Sequence, residues 1–180
     1  MKTRINTIIF LIALFMFSNT AHAAFDGDYT LDNWTFQTAG NGTVTPASGD
    51  AAMITLKSDD SETGGFTDLF ITVVTAGVIS FDWFFTNDDL ATFETGGYVL
   101  NGLRTDLTGG SGTTSVITMT EMVTVASGDV FGFFVESVDG IADPGYLDIS
   151  EFNGPAQVPV PAAAWLLLSA IAVMMRRHPA

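Results

Sequence analysis

Hydrophobic and polar residues alternate in short runs along the middle of the chain, and turn-forming residues separate the runs. The clearest run is GVISFDWFFT, in which Ile79, Phe81, Trp83 and Phe85 share one face of an extended strand. Stretches such as AGNGT, SDDSETGG, TGGSGTT and ASGD then provide turns. No run has helical periodicity. We therefore expect an all-β fold, an antiparallel, jelly-roll-like β-sandwich of about eight to ten strands.

Two turns in this region have a specific chemistry. Asn101-Gly102, in YVLNGLR, predicts a two-residue hairpin turn, because both of its positions need a positive φ. Ser127-Gly128-Asp129 predicts a second turn, after which the chain returns as another strand. The positions that alternation assigns to the strands around this turn, or to the core after it, are Ile117, Met119, Val123, Val125, Phe131, Phe133, Val135, Leu147, Ile149 and Phe152.

The N-terminus has the features of an export signal. Lys2 and Arg4 precede an unbroken apolar run, and Ala21 and Ala23 supply the small-x-small pattern that signal peptidase accepts. Residues 1–23 therefore predict a signal peptide cleaved after Ala23. The alternative, a retained N-terminal membrane helix, is disfavoured because the run is shorter than the roughly 20 residues that a span needs.

The charge distribution constrains the partners of the domain that follows, residues 24–154. All 20 acidic residues of the chain lie there, together with two basic residues, Lys57 and Arg104, which gives a formal net charge of −18. Such a domain repels nucleic acid and attracts divalent cations, although solubility alone also explains the charge. The chain has no cysteine, so the domain must be stable without disulfide bonds.

The C-terminal segment has three parts, each with its own signal. Residues 155–161 form a proline-bearing linker, residues 162–175 an apolar stretch at the short end for a transmembrane helix, and residues 176–180 a basic tail. Arg176 and Arg177 place that tail in the cytoplasm by the positive-inside rule. The linker ends in the motif Val158, Pro159, Val160, Pro161 and Ala162.

The sequence VPVPAAAWLLL followed by two arginines resembles the PEP-CTERM class of sorting tails, in its VPLPA-type variant. Val160 stands where most of the class has glutamate, and the basic cluster is short. The resemblance implies recognition by an exosortase, a membrane protease of Gram-negative bacteria, which cuts near the Pro159-Val160-Pro161 motif. It also implies delivery from the inner membrane to the cell surface or the exopolysaccharide matrix. The alternative is an uncleaved single-pass anchor.

The domain offers little catalytic chemistry. Residues 24–154 contain no histidine and no cysteine, which excludes Ser-His-Asp and Cys-His nucleophiles and zinc sites built on those ligands. A glycosidase needs only two carboxylates, but no pair stands out, and Asp82 beside Trp83 is more simply a polar residue on the solvent face of a strand. We therefore expect a protein without catalytic activity of its own.

Calcium is a candidate ligand, because it prefers carboxylate and loop carbonyl oxygens. The loops SDDSE, NDD and DGIAD have that composition, although loop aspartates also commonly cap their own turns. The candidate ligands are Asp59, Asp60, Glu62, Asp88, Asp89, Asp139 and Asp143.

Carbohydrate binding is the alternative to a passive surface or matrix protein. Exposed aromatic rings could stack on sugars, and the candidates are Trp34, Tyr98 and Tyr146, of which Trp34 fits the core equally well. The function predicted from the sequence is thus an exported surface or exopolysaccharide-matrix protein. The alternative is a calcium-dependent carbohydrate-binding or adhesive module.

Overall fold

The computed structural model describes residues 25–87, 93–108, 119–141 and 143–155. Within these ranges the chain forms two short 3-10 helices, Gly27–Tyr29 and Leu31–Asn33, and ten strands. The strands are β1 Thr35–Ala39, β2 Thr43–Thr45, β3 Met53–Lys57, β4 Gly65–Thr72, β5 Gly77–Thr86, β6 Glu94–Leu100, β7 Leu103–Asp106, β8 Met119–Val125, β9 Val130–Ser137 and β10 Tyr146–Asn153.

The strands form two five-stranded sheets. Sheet 1 has the order β1-β4-β9-β6-β7, and sheet 2 has the order β2-β3-β10-β5-β8. Every described pairing is antiparallel. From β3 to β10 the chain changes sheet at every connection except the β6–β7 hairpin. The predicted all-β, antiparallel β-sandwich is confirmed.

The core lies between the two sheets and is built from alternate residues of their central strands. In β5 the predicted inward face is confirmed, since the side chains of Ile79, Phe81 and Trp83 are buried. Phe133 of β9 lies at the centre of an aromatic cluster, with its ring 5.0 Å from that of Phe81. Burying such large apolar surfaces stabilises the domain without disulfide bonds.

The predicted turns are both present, but they join different elements. Asn101 and Gly102 have φ values of 53° and 81° and close the β6–β7 hairpin, as predicted. Gly128 has a φ of 92°, so that turn is also confirmed. It does not make a hairpin, however, because β8 belongs to sheet 2 and β9 to sheet 1. The strand after this turn, β9, lies in the opposite sheet, and its side chains Phe131, Phe133 and Val135 are buried in the core.

The first residue of β8 lies outside the core. Met119 is 56% exposed at the start of β8, an edge strand, and does not join the core with Val123 and Val125. The predicted signal peptide, sorting motif, membrane helix and basic tail lie outside the described residues. Among the residues described, no helix is long and apolar enough to cross a membrane.

Candidate functional site

Two of the three loops proposed for calcium, the one after β3 and the one after β9, meet at one end of the sandwich. The backbone N–H of Glu62 donates a hydrogen bond of 2.7 Å to the carbonyl of Gly140. Gly140 also lies close to Asp59, since a β-carbon on this glycine would be 2.9 Å from Asp59 Oδ2. The structure thus brings two of these loops into contact, a proximity that the sequence did not predict.

Asp59 organises this loop from inside it. Its side chain is buried, and its Oδ1 accepts a 2.6 Å hydrogen bond from the backbone N–H of Asn41. Its Oδ2 accepts a 2.8 Å bond from the hydroxyl of Ser61. Burial raises the pKa of this carboxyl, but these hydrogen bonds and those of the Ser61 and Asp60 N–H groups outweigh it, so the pKa of Asp59 lies below its ordinary value.

Two other described carboxylates of the set bind groups close to them in the chain. Asp60 pairs with Lys57 at 3.2 Å, and Asp139 accepts a hydrogen bond from the N–H of Ile141. Asp143 is exposed. Among the described residues, no three histidine, cysteine or acidic side chains come together as a metal site. Asp88 and Asp89 lie outside those residues, so the calcium site stays a prediction.

Of the three aromatic residues proposed for sugar binding, one is core, one is half-buried and one is exposed. Trp34 is buried, and its indole N–H donates a 2.9 Å hydrogen bond to the carbonyl of Tyr29, so its role is structural. Tyr98 packs against the core, with its ring 6.2 Å from that of Phe81. Tyr146 is 39% exposed at the start of β10 on sheet 2.

The outer face of sheet 1 carries an open groove of about 760 Å³. Two neighbouring rows of residues cross this face. The first row is Gln37, Asp68, Phe134, Gly97 and Asp106. The second row is Thr35, Phe70, Gly132, Val99 and Arg104. The groove is of ordinary size for a small-molecule or oligosaccharide site, and its lining mixes apolar and polar side chains.

Phe70 forms part of the groove floor because its neighbour on β9 is a glycine. A β-carbon at Gly132 would be 2.5 Å from Cδ1 of Phe70 and 2.4 Å from the carbonyl oxygen of Leu69. The ring of Phe70 therefore lies over the backbone of Gly132, half-buried, and lines the groove. Any side chain at position 132 would displace the ring from the sheet.

Phe134 repeats this arrangement in the next row, but Arg104 covers it. A β-carbon at Gly97 would be 3.0 Å from Cε1 of Phe134, and the guanidinium carbon of Arg104 lies 4.5 Å from the centre of the Phe134 ring. Nη2 of Arg104 donates hydrogen bonds of 2.9 Å to both carboxylate oxygens of Asp68, while Nη1 donates to Glu136. Two carboxylates thus hold one arginine flat against an aromatic ring.

The burial of Asp68 influences its charge. Desolvation raises its pKa, and the repulsion of Glu136 adds to this, while the charge and hydrogen bonds of Arg104 lower it. The result is a pKa above the ordinary value. Asp68 therefore depends on Arg104 to remain ionised at low cost, which ties the position of the arginine to that of the carboxylate.

The sequence pattern alone does not predict this groove. Phe70, Gly132 and Arg104 are 28 or more positions apart in the chain, and only the strand register places Phe70, Gly132 and Val99 in one row. The signal present in the sequence was the phenylalanine-glycine alternation of VFGFF, which interrupts the usual β-branched pattern of a strand.

A smaller, mostly apolar cavity of about 290 Å³ lies at the β1–β2 side of the sandwich. Its walls include Phe36, which is 46% exposed, together with Trp34 and Leu69. It offers few polar groups that could orient a ligand.

No family model matches the chain, and no curated protein matches it. Solved structures do. A carbohydrate-binding module of the β-sandwich superfamily, described for its promiscuous specificity, is 16% identical, with a TM-score of 0.44, over 77% of this chain and 62% of that one. An exo-β-1,3-galactanase from Phanerochaete chrysosporium is 14% identical, with a TM-score of 0.34, over 67% of this chain and 28% of that one.

A family 35 carbohydrate-binding module from Clostridium thermocellum is 13% identical, with a TM-score of 0.34, over 67% of this chain and 94% of that one. The chain thus spans less than two thirds of the module and the galactanase named first. These are similarities of the β-sandwich fold, and they assign no ligand to the present chain.

Proposed function

We propose that residues 24–154 form a jelly-roll-like module that binds carbohydrate outside the cell, in the groove on the outer face of sheet 1. The observation that carries this proposal is the ring of Phe70, which lies over Gly132 between polar side chains. A sugar ring has apolar C–H faces and hydroxyl groups around its edge. A ligand of that shape needs an apolar platform for the face and hydrogen-bonding groups beside it.

The polar groups of the groove suit such a ligand. Gln37 provides an amide that both donates and accepts, and Asp68 accepts, at a position fixed by Arg104. Asn33 adds a second amide at the groove edge, held by its hydrogen bond of 3.1 Å to the carbonyl of Asp28. Groups that are already fixed lose little conformational entropy when a ligand binds.

Removing the platform should separate this function from the fold. With Phe70→Ala, we expect at least a tenfold loss of retention on immobilised polysaccharides in affinity electrophoresis, because the apolar contact is lost. Tyr146→Ala on sheet 2 is the matched control and should retain wild-type mobility. If the Tyr146 variant loses binding and the Phe70 variant does not, the groove is not the binding site.

Export and sorting belong to the same proposal and rest on the terminal sequences. We expect the chain to reach the surface or the exopolysaccharide matrix through an exosortase-type protease, after cleavage at Ala23. Pro159 and Pro161 favour an extended, protease-accessible segment. Pro155, the first residue of that linker, packs against the domain, since its carbonyl accepts a 3.3 Å hydrogen bond from the hydroxyl of Tyr29.

The sorting proposal is tested by the double change Pro159→Ala and Pro161→Ala, which should leave a larger, membrane-associated precursor. Pro155→Ala, in the same linker but outside the motif, is the control and should be processed normally. Normal processing of the double variant in pulse-chase immunoblots would indicate an anchor that is not cut.

We further propose that the module has no catalytic activity of its own, since residues 24–154 contain no histidine or cysteine. Polysaccharides incubated with the protein should release no reducing sugar. Release that is abolished by Asp68→Asn or Glu136→Gln would instead make the groove a glycosidase site.

A further inference from the structure

The groove has a charge that restricts the class of glycan it can accept. Among the described residues that line it, Arg104 is the only basic one, and it is already engaged by Asp68 and Glu136. The other basic residue within the described ranges, Lys57, lies on sheet 2 and pairs with Asp60. A uronate or sulfate group on a ligand would therefore find no unengaged basic side chain among the described lining residues to offset its own negative charge.

Asp28 extends this negative charge to the groove edge. It is exposed and lines the same cavity as Phe70. Neither basic side chain within the described ranges forms an ion pair with it. An ammonium group on a ligand in the groove would find a carboxylate here with which to form a charge-assisted hydrogen bond.

We infer that the ligand is an amino-sugar polymer with free ammonium groups, recognised by stacking on Phe70 and by an ion pair with Asp28. This inference rests on the carbohydrate-binding function proposed above. It assigns the two residues different tasks: Phe70 binds the apolar face that all pyranoses share, and Asp28 distinguishes an ammonium from a hydroxyl or an acetamide.

Three β-1,4-linked tetrasaccharides that differ only at C2 test this directly: tetraglucosamine, tetra-N-acetylglucosamine and cellotetraose. Isothermal titration uses the full chain in a polyoxyethylene detergent, which contains no sugar. We expect tetraglucosamine to bind at least fivefold more tightly than the other two, and the difference to shrink as salt is raised, because an exposed ion pair is screened.

Two variants separate specific recognition from general attraction to an acidic protein. Asp28→Asn should remove the preference for tetraglucosamine, so that its affinity falls to about that of cellotetraose. Asp82→Asn removes the same charge from the outer face of sheet 2 and should change nothing. Equal effects of the two variants would mean that the affinity for tetraglucosamine depends only on the net charge of the protein, and the inference would fail.

The remaining outcomes distinguish the inference from the proposed function. Equal binding of all three sugars, lost in Phe70→Ala, would overturn the ammonium preference and leave carbohydrate binding intact. If Phe70→Ala destabilises the fold, Phe70→Leu keeps the apolar volume without the ring and should still weaken all sugars. Binding of none of the three would contradict the inference, and failure across a wider set of polysaccharides would contradict the function.

Discussion

The outer faces of the two sheets have the same alternation of residues but different shapes. On sheet 2, one row is Thr45, Thr55, Asp148 and Phe84, and the next is Met53, Ser150, Asp82 and Thr120. Threonine hydroxyls there donate to the neighbouring aspartates, Thr55 to Asp148 and Thr120 to Asp82. On sheet 1, phenylalanine rings lie over glycines and an arginine lies over one ring.

The difference lies in where glycine occurs. Sheet 1 has glycines on its outer face within β6 and β9, Gly97 and Gly132, whereas among the described strands of sheet 2 the one glycine is Gly77, the first residue of β5. A glycine removes side-chain volume from the face of a sheet, so a neighbouring aromatic ring can lie down in its place. A face built this way has both a depression and an apolar floor, which a face of threonine and aspartate pairs lacks.

The largest expected effect compares the two basic residues, one on each sheet. Arg104→Ala leaves Asp68 buried without its partner, and we expect the free energy of unfolding to fall by about 2–3 kcal/mol. Lys57→Ala breaks a pair that is more exposed, and we expect a loss of less than about 1 kcal/mol. Urea denaturation followed by tryptophan fluorescence measures both. Equal losses would show that Arg104 is not held as described.

The second comparison introduces a methyl group on each face, as added volume on sheet 1 and in place of a hydroxyl on sheet 2. Gly132→Ala places a β-carbon against Phe70 and the carbonyl oxygen of Leu69, and we expect a destabilisation of about 2 kcal/mol from this overpacking. Thr55→Val on sheet 2 changes the side chain without adding volume, and we expect about 1 kcal/mol from the lost hydrogen bond to Asp148. A Gly132 variant as stable as the wild type would mean that the ring does not lie over position 132.

Acidification should change the contributions of Asp59 and Asp68 to the free energy of unfolding in opposite directions. The lowered pKa of Asp59 contributes stability that is present above its ordinary pKa of 3.8 and lost as pH falls through the folded-state value. The raised pKa of Asp68 instead contributes a penalty that appears as pH rises through 3.8. Asp59→Asn should therefore flatten the loss of stability in acid, and Asp68→Asn should steepen it.

Chemical denaturation at a series of acidic pH values provides this measurement, with each variant compared with the wild type at every pH. Parallel curves for all variants would contradict the assigned shifts.

The smallest expected effect concerns metal removal. Arg104 holds Asp68 in the groove, and none of the described carboxylates proposed for calcium lines it. Sugar binding in the groove should therefore be unchanged between EDTA and millimolar calcium. A rise in melting temperature with calcium would locate a cation site in the loops, and Asp59→Asn and Asp139→Asn should then remove it. Loss of sugar binding in EDTA would contradict an independent groove.

The sequence predicted the sandwich because strand alternation is local. Ile79, Phe81 and Trp83 are two residues apart, and their burial follows from the pleat of a single strand. The Asn101-Gly102 turn was equally local. The sheet reached by the strand after Gly128 was not, because the two pairing partners of β9, β4 and β6, lie about 30 or more residues away in the chain.

The groove could not be predicted for the same reason. Its floor depends on the register that places Phe70 opposite Gly132, and its charge depends on Arg104 reaching from β7 across two strands to Asp68 on β4. From the sequence, Trp34 fitted either the core or a binding surface. It is buried because its ring packs against that of Phe133 in β9, with the ring centroids 5.9 Å apart. Composition pointed to acidic loops, whereas Phe70, Gly132 and Arg104 of the groove lie on strands.

The central claim, that sheet 1 and not sheet 2 is the binding face, is tested most directly by amide chemical shifts. The ¹⁵N-labelled full chain in a polyoxyethylene detergent would be titrated with tetraglucosamine and with cellotetraose. We predict that the largest shifts occur at Gln37, Phe70 and Gly132, with little change at Asp82 and Asp148. Shifts confined to Tyr146, Asp148 and Asp82 would contradict the account.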